Sequence, residues 1–279
     1  MTDRSGYAAR IAEVLASEHG AKVPYPIGLQ EVEVIRTVAV GAGLLRITFG
    51  GPDIASFHSY VPDEHVRLVF PCEDGVLRLP ARDGQSLEWG NPRPVSREYT
   101  VRRHSIADNE LDIDFAIHPG GLASEWASAA TPGTKIHIAG PPGGVVVPES
   151  YDRFLFVGDI TALPAIARWL ERLSRTARGW AFIEVTGPEE EIEIDAPAGI
   201  EVRWLHRGDL EPGTGDALEK AVRGVEVPAG HRVYAWVAGE AGCLRGIRKV
   251  VRGELGIGPK DSLIAGYWKR GVADFDREE

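Results

Sequence analysis

The sequence has few of the residues that hold inorganic cofactors. It contains two cysteines, Cys72 and Cys243, which lie far apart and have no CxxC partner. By themselves they hold neither an iron–sulfur cluster nor a structural zinc ion. His58, His104 and His137 also lack a second ligand at metal spacing, so we predict no metal site. Isolated cysteines of this kind are typical of a reducing, cytoplasmic setting.

The sequence also lacks the features that indicate membranes or nucleic acid. No apolar run is long enough for a transmembrane helix, and the N-terminus has no secretory h-region. The formal net charge is −10, which argues against nucleic acid or an anionic membrane as the main partner. The 279 residues, 43% hydrophobic and 26% charged, are enough for two medium globular domains or one large one.

Residues 97–103 are the most informative part of the chain. Their alternation predicts a strand with Arg97, Tyr99 and Arg103 on one face and Thr100 on the other. A guanidinium group suits phosphate, whereas a tyrosine ring offers a flat apolar surface. The strand therefore suits a ligand with an aromatic ring at one end and phosphates at the other. An ordinary strand with solvated charges explains the same residues equally well.

Short strands with turn residues between them continue from about residue 30 to residue 146. Their alternation predicts a closed, six-stranded antiparallel barrel. The predicted strands are residues 32–35, 44–49, 64–70, 97–103, 111–117 and 134–139. One helix, at residues 122–130, follows Gly120 and Gly121. Glycines at a helix N-terminus let backbone N–H groups approach an anion, although many ordinary junctions contain glycine too.

From about residue 150 the pattern changes to alternating strands and helices, which predicts a doubly wound parallel α/β sheet. Apolar runs predict strands at residues 153–157, 180–185, 200–205, 232–238 and 263–268. Such a sheet binds ligands beyond the carboxyl ends of its strands, where Gly158 and Gly239 occupy turns. The chain has no GxGxxG motif, so this half alone does not specify a dinucleotide.

The change of pattern predicts three segments. Residues 1–22 form an N-terminal extension with a short amphipathic helix at residues 7–19, which stops at Gly20. Residues 23–148 form the barrel domain. Residues 149–279 form the α/β domain with a C-terminal tail.

Several blocks of the sequence, taken in order, resemble the siderophore-interacting protein family. They are PDEHVRL (62–68), REYTVR (97–102), GDITALPA (158–165), WLHR (204–207), AGEA (238–241) and GYWKRG (266–271). The family consists of FAD-containing, NAD(P)H-dependent ferric-siderophore reductases of the ferredoxin-reductase-like superfamily. The resemblance covers about residues 30–272. It implies an FAD-binding barrel, an NAD(P)H-binding α/β domain and a ferric siderophore as small-molecule substrate, in a monomer or weak dimer.

The resemblance also implies roles for individual residues. Tyr99 would stack on the flavin ring and Thr100 would hydrogen-bond near flavin N5, which makes these two the catalytic pair. The residues implied in binding the rest of FAD are Arg97, His118, Gly121, Ala123 and Ser124. Those implied at NADPH or NADH are Gly158, Asp159, Thr161, Ala162, Gly239 and Glu240, with Tyr267 and Trp268 closing over the flavin side. The implied siderophore-binding cations are Arg67, Arg102, Arg103, Lys269 and Arg270, although each also reads as a solvated surface charge or a phosphate contact.

The chain departs from the family pattern at three places. Pro119 follows His118 where the family has glycine and then an acid, and proline removes an N–H from this loop. Ile160 stands in place of a glutamate in the turn after residue 159. Arg67 stands in place of a lysine, which keeps the charge but changes its geometry and hydration.

The implied reaction passes a hydride from NADPH or NADH to FAD and single electrons from FAD to Fe(III) in a siderophore. Two other functions stay open. The chain could be a flavin reductase-like enzyme with a quinone or a protein as acceptor, or it could bind siderophore or flavin without turnover. His206 and Arg207 suit the adenosine or 2′-phosphate of NADP, and they equally suit an ordinary charged loop.

Overall fold

The computed structural model describes residues 4–273 and residue 275. Over these residues the chain forms two compact units. The first unit contains residues 4–13, Ala21–Ala39 and Leu45–Val146, and the second contains Val14–Gly20, Val40–Leu44 and the described residues from Val147 onward. The domain boundaries at residues 22 and 148 stay a prediction.

The helices lie mainly in the second unit. They are α1 (Arg4–Leu15), α2 (Leu122–Ala129), α3 (Leu163–Arg172), α4 (Ala217–Arg223) and α5 (Leu244–Lys249), and α5 continues into a π-helical turn at Val250–Glu254. Short 3₁₀ turns lie at Pro52–Ser56, Pro188–Glu190 and Pro259–Asp261. Helix α1 ends four residues before the predicted end, because the backbone N–H and hydroxyl of Ser17 both donate to the Val14 carbonyl.

The strands fall into an antiparallel set followed by a parallel set. The strands of the first unit are β1 (Ala21–Pro24), β2 (Leu29–Val40), β3 (Leu44–Gly50), β4 (His65–Phe70), β5 (Ala81–Asp83), β6 (Ser86–Glu88), β7 (Val95–Thr100), β8 (Arg103–Ser105), β9 (Glu110–Ala116), β10 (Lys135–Ala139) and β11 (Gly143–Val146). Those of the second unit are β12 (Arg153–Asp159), β13 (Arg178–Val185), β14 (Gly199–His206), β15 (Val233–Glu240) and β16 (Ser262–Trp268).

The main sheet of the first unit has the order β7-β4-β10-β2-β3-β9-β8, which is seven strands among the described residues instead of the predicted six. The predicted strand at residues 97–103 is divided, because the chain changes partner there. The Val101 N–H donates to the Glu64 carbonyl at 2.9 Å, whereas the Arg102 N–H donates to the Asp112 carbonyl at 3.0 Å. Since β7 and β8 are consecutive in the chain, this change of partner brings the two edges of the sheet together.

Large aromatic side chains fill the interior of this sheet. Phe49, Phe57, Phe70 and Phe115 are fully buried in one cluster, against which Tyr99 packs. The apolar side chains alternate along the strands with polar ones, as expected of an antiparallel sheet with one face toward the core. Among the described residues, β1 with β11 and β5 with β6 form two further antiparallel pairs.

The second unit is built on a parallel sheet with the order β14-β13-β12-β15-β16. The doubly wound α/β prediction is therefore confirmed. Every residue of β15 is buried, which explains its continuous apolar run. The strands end at a common edge, where Asp159 lies opposite Glu184 and Glu240 lies opposite Trp268. In the part of the chain that the structure describes, no helix has the length and apolar character needed to cross a membrane.

Candidate functional site

Strand β7 positions the first group of predicted site residues. Arg97 and Tyr99 alternate along the strand and share one face, and both are half-buried. The Tyr99 ring packs on Phe115 with ring centroids 4.4 Å apart, and burial raises the pKa of its hydroxyl. Arg97 Nη1 donates to the Ser96 carbonyl at 2.9 Å, and Thr100 is buried. The strand thus presents a ring and a guanidinium group on the same side.

Helix α2 begins with backbone N–H groups that no capping side chain satisfies. Its N-cap residue is Gly121, where a Cβ atom would clash with the ring of His118. Ser124 is buried, and its hydroxyl accepts from the His118 N–H and donates to the His118 carbonyl, both at 2.8 Å. Ala123 is buried as well. The helix start therefore offers backbone N–H groups to an anion, while the Ser124 hydroxyl is already engaged.

Arg67 is held by a carboxylate and an aromatic ring. Its Nη2 lies 2.5 Å from Glu98 Oε1, and its Nη1 donates to the Ser96 hydroxyl at 3.3 Å. The guanidinium groups of Arg67 and Arg93 each lie 5.6 Å from the centroid of the Trp89 ring. Trp89 and Arg93 gave no signal in the sequence, because an isolated tryptophan in a loop matches no motif. Together they form a cationic and aromatic cluster beside a predicted substrate residue.

Arg102 and Arg103 lie against carboxylates of their own sheet. Arg102 Nε lies 3.7 Å from Asp114 Oδ2, and the Arg102 side chain is mostly buried. Arg103 Nε donates to Asp112 at 2.7 Å, and its Nη2 donates to Glu110 at 2.9 Å. Asp112 and Glu110 thus pair with Arg103, and Arg102 lies beside Asp114, which also accepts from Arg46 through both oxygens. The contribution of Arg102 and Arg103 to a basic surface is therefore smaller than the bare residue count suggests.

Asp159 ties together the turns that follow neighbouring strands of the parallel sheet. Its Oδ1 accepts from the backbone N–H and the hydroxyl of Thr161, at 2.9 and 2.5 Å. Its Oδ2 accepts from the Glu240 N–H at 3.1 Å and from Trp268 Nε1 at 2.8 Å. Burial raises the pKa of Asp159, although these hydrogen bonds favour the charged form. Asp159 therefore holds the turns in place, and Tyr267 lies half-buried beside Trp268.

Glycines let the strand ends approach each other at this edge. A Cβ atom on Gly158 would lie 2.8 Å from the Ala238 carbonyl oxygen, and it would also clash with the buried side chain of Ala162. Gly239 has φ +148°, and a Cβ there would lie 2.8 Å from Asp159 Oδ2. These positions need glycine because neighbouring protein atoms occupy the space that a side chain would take, and both residues are buried.

Glu240 accepts two backbone hydrogen bonds beyond the end of β15. Its Oε2 accepts from the Cys243 N–H at 2.7 Å, and its Oε1 accepts from the Arg270 N–H at 3.1 Å. Burial acts to raise the pKa of Glu240, but the hydrogen bonds outweigh burial and the pKa is lowered. Burial, reinforced by the Glu240 charge, raises the pKa of the Cys243 thiol to about 11. The side chains of Lys269 and Arg270 are exposed.

His206 and Arg207, at the end of β14, are both paired. His206 Nε2 lies 2.6 Å from Glu191 Oε1. Arg207 donates to the Thr186 hydroxyl at 2.6 Å and to the Leu210 carbonyl at 2.8 Å. The structure thus places an arginine and acidic side chains together at this strand end.

The first unit fits FAD. An open helix start suits a pyrophosphate, and a half-buried tyrosine on a strand that also carries an arginine suits a flavin ring. The glycine-lined carboxyl edge of the second unit suits a dinucleotide. Within residues 4–273 and 275, no group of three or more His, Cys, Asp or Glu side chains is placed to hold a metal ion. The fold and the two candidate sites together suit a protein that binds FAD in its first unit and a second nucleotide at the edge of its parallel sheet.

The chain belongs to the siderophore-interacting protein family. Residues 33–145 match the siderophore-interacting FAD-binding domain, and residues 151–271 match the siderophore-interacting protein domain. The ferric vibriobactin reductase ViuB of Vibrio cholerae is 35% identical over 246 residues, which cover 86% of this chain and 89% of the relative. The NADPH-dependent ferric-chelate reductase of Escherichia coli is 32% identical and covers 88% and 95%.

A solved structure supports the same assignment. The siderophore utilization protein from T. fusca superimposes with a TM-score of 0.86 at 37% sequence identity. The match covers 92% of this chain and 98% of that protein. The resemblance stated from the sequence blocks is therefore confirmed.

Proposed function

We propose that this protein is an FAD-containing reductase that uses electrons from NADPH or NADH to release iron from ferric siderophores. The observation that carries the proposal is the match to a siderophore-interacting FAD-binding domain, together with relatives named as ferric reductases over nearly the whole chain. Bound FAD would supply the conversion between a two-electron hydride donor and a one-electron acceptor.

In the first unit, the proposed roles follow from what each side chain offers. Arg97 binds the flavin pyrophosphate, and the first-turn N–H groups of α2, next to Gly121 and Ala123, bind it as well. Tyr99, whose ring packs on Phe115, would lie against the flavin ring. Thr100 donates its hydroxyl or backbone N–H to the flavin.

For two residues beside helix α2, we revisit the roles that the family resemblance implies. Since the Ser124 hydroxyl already bridges the backbone of His118, we assign Ser124 to shaping the loop instead of contacting phosphate. His118 is exposed and lies next to the nucleotide portion of FAD. Pro119 offers no N–H, so the backbone contacts to the anion would come from the helix start, beside the side-chain contact from Arg97.

In the second unit, the backbone at Gly158, Thr161, Ala162 and Gly239 forms the proposed edge for NADPH or NADH. Asp159 acts as a positioning residue, because its carboxylate oxygens already accept hydrogen bonds from the turns around it. Glu240, Tyr267 and Trp268 border the nicotinamide end in the same proposal, which the sequence resemblance implies.

Siderophores bind Fe(III) with hard oxygen donors and are often anionic, so cations suit the binding site. The exposed Lys269 and Arg270 are the main candidates, and Arg67, Arg102 and Arg103 contribute less because each lies against a carboxylate of its own sheet. The protein does not have to ligate iron. Reduction to the larger, less charged Fe(II) weakens the bonds to the chelator.

An anaerobic titration of the purified holoprotein tests this function. We expect NADPH or NADH to bleach the flavin absorbance, and we expect a ferric siderophore with an Fe(II)-specific chelator to yield the coloured Fe(II) complex. Iron-free siderophore is the matched control. A flavin that bleaches but yields no Fe(II) with hydroxamate, catecholate or mixed siderophores would indicate another acceptor. A flavin that neither nucleotide bleaches would exclude the reductase.

A further inference from the structure

A cavity of about 130 Å³ lies at the carboxyl edge of the parallel sheet, within the second unit. Strand ends contribute Asp159, Glu184 and Glu240 to its wall, and the loop before α4 contributes Gly213 and Gly215. Because the two glycines have no side chains, their loop packs closely against the strand ends. A Cβ atom on Gly213 would lie 2.6 Å from Glu240, and one on Gly215 would lie 3.6 Å from Glu184 Oε2. The Glu184 carboxylate therefore faces the loop that lines the cavity.

Glu184 is buried and accepts no hydrogen bond from any described residue. Its exposed fraction is 7%. Arg207 attracts it electrostatically, but the Arg207 guanidinium donates its hydrogen bonds to Thr186, Gly208 and Leu210. Neither Glu184 oxygen is among the fully enclosed polar atoms that lack a partner, so the carboxylate opens onto the cavity, where a ligand can donate to it.

Asp159, the neighbour of Glu184 in the sheet, has the hydrogen-bond donors that Glu184 lacks. Asp159 lies directly opposite Glu184 in the register of β12 and β13. Both oxygens of Asp159 accept hydrogen bonds, from Thr161, Glu240 and Trp268. Burial and the Asp159 charge raise the pKa of Glu184. Glu184 is thus the acceptor on this wall that is left for a ligand.

The cavity is too large for one water and too poor in ligands for a metal ion. A water molecule occupies about 30 Å³ of liquid volume. The described residues contain no group of three side chains placed to hold a metal. With Asp159 saturated, Glu240 accepting from Cys243 and Arg270, and Glu219 paired with Arg223, Glu184 is the carboxylate of the described cavity wall that accepts no hydrogen bond. That chemistry suits a neutral hydrogen-bond donor at the end of a larger ligand.

On the basis of the proposed use of NADPH or NADH, we propose that Glu184 binds the nicotinamide half of the dinucleotide by accepting from its carboxamide N–H₂ or its ribose hydroxyls. Either donor group is neutral and matches the acceptor that the cavity leaves open. The same edge already carries the glycines at which such a nucleotide binds. Glu184 then stands among the binding residues, and the turn at Gly213 and Gly215 closes around the bound group.

Binding of oxidised nucleotides to the holoprotein tests this role without turnover. The variants are Glu184→Gln, which keeps the size and removes the charge, and Glu184→Ala, which removes the acceptor. Glu219→Gln is the matched control, because Glu219 lines the same cavity but is paired with Arg223 at 2.9 Å. The ligands are NAD⁺ or NADP⁺, whichever binds the wild type more tightly, and the corresponding acetylpyridine analogue, ADP-ribose and ADP. Titration calorimetry gives each dissociation constant.

The ligand series separates the two donors. For a carboxamide contact we expect Glu184→Ala to weaken the nicotinamide nucleotide about tenfold to a hundredfold, and Glu184→Gln to weaken it roughly three- to tenfold. The acetylpyridine analogue and ADP-ribose lack the carboxamide N–H groups and should then be unaffected. For a ribose contact, the variants should bind the nicotinamide nucleotide, the acetylpyridine analogue and ADP-ribose more weakly by the same factor. Only the affinity for ADP should be unchanged.

Three results would overturn the role of Glu184. These are unchanged affinities in both variants, an equal loss with Glu219→Gln, or a loss of ADP binding in both Glu184 variants. If Glu184→Ala disturbs the fold, the ligand pattern of Glu184→Gln decides. Anaerobic bleaching of the wild-type flavin is measured in parallel. Absent bleaching counts against the proposed function, whereas normal bleaching with unchanged affinities overturns only the role of Glu184.

Discussion

Replacing Trp268 by phenylalanine removes one hydrogen bond from the carboxyl edge of the parallel sheet. Trp268 Nε1 donates to Asp159 Oδ2 at 2.8 Å, and phenylalanine keeps most of the ring but has no donor. A hydrogen bond to a charged acceptor contributes about 1.5–3 kcal/mol. We therefore expect the free energy of unfolding to fall by about that amount at pH 8. Asp159 holds three turns together, so the loss should also weaken nucleotide binding.

The effect should depend on pH in a defined direction. The pKa of Asp159 is raised in the folded state, so the folded protein binds this proton more tightly than the unfolded chain. The stability associated with Asp159 is therefore present at low pH and is lost as the pH rises through the folded pKa. Removal of a donor to the charged form acts only when the carboxyl is ionised. The destabilisation by Trp268→Phe should thus be largest above the folded pKa and should shrink below it.

Equilibrium urea unfolding of the variant and of a matched control provides the measurement. Trp204→Phe makes the same substitution in the same sheet, at a half-buried indole that donates to no described residue. Equal losses of unfolding free energy in the two variants would refute the assigned role of the Trp268 hydrogen bond. A loss for Trp268→Phe that does not change between pH 8 and acidic pH would refute the role of the ionised Asp159.

Three further outcomes follow from the same geometry. Arg97→Ala should weaken FAD binding about tenfold to a hundredfold, seen as lower flavin absorbance in the purified protein, and unchanged occupancy would remove Arg97 from the pyrophosphate. Gly121→Ala should also lower flavin occupancy, because the new Cβ would lie 2.7 Å from His118 Nε2, and full occupancy would contradict this. With a pKa of about 11, Cys243 should be alkylated at pH 8.5 roughly a hundredfold more slowly than an exposed cysteine peptide, by mass spectrometry, and equal rates would contradict its burial beside Glu240.

Most of the fold could be predicted from local alternation and apolar runs in the sequence. The continuous run at residues 232–238 predicted a buried parallel strand, and β15 is buried throughout. The six-stranded count was wrong because alternation continues through residues 97–103. The exchange of partner at Val101 and Arg102 depends on hydrogen bonds to β4 and β9, which lie elsewhere in the chain. Alternation reports which face a side chain occupies, and it does not report which strand the backbone joins.

The candidate site was less accessible to sequence reasoning. Arg103 looked like a free cation, but its carboxylate partners, Asp112 and Glu110, come from the neighbouring strand and are recognisable only with the register. Ser124 looked like a phosphate ligand, but its hydroxyl bonds to the His118 backbone. Glu184 did leave a signal, because it is the charged residue at the end of the apolar run at residues 180–185. A charge in a fully buried strand requires a partner.

The most direct test of the reductase assignment is a single-turnover transfer from the reduced protein to iron. The holoprotein is reduced anaerobically, freed of nicotinamide nucleotide and mixed with excess ferric siderophore in the presence of an Fe(II) chelator. Two-electron-reduced flavin reduces two Fe(III), so we expect full return of the flavin absorbance and two Fe(II) complexes for each flavin. Flavin that stays reduced, or that is reoxidised without forming Fe(II), would contradict the assignment.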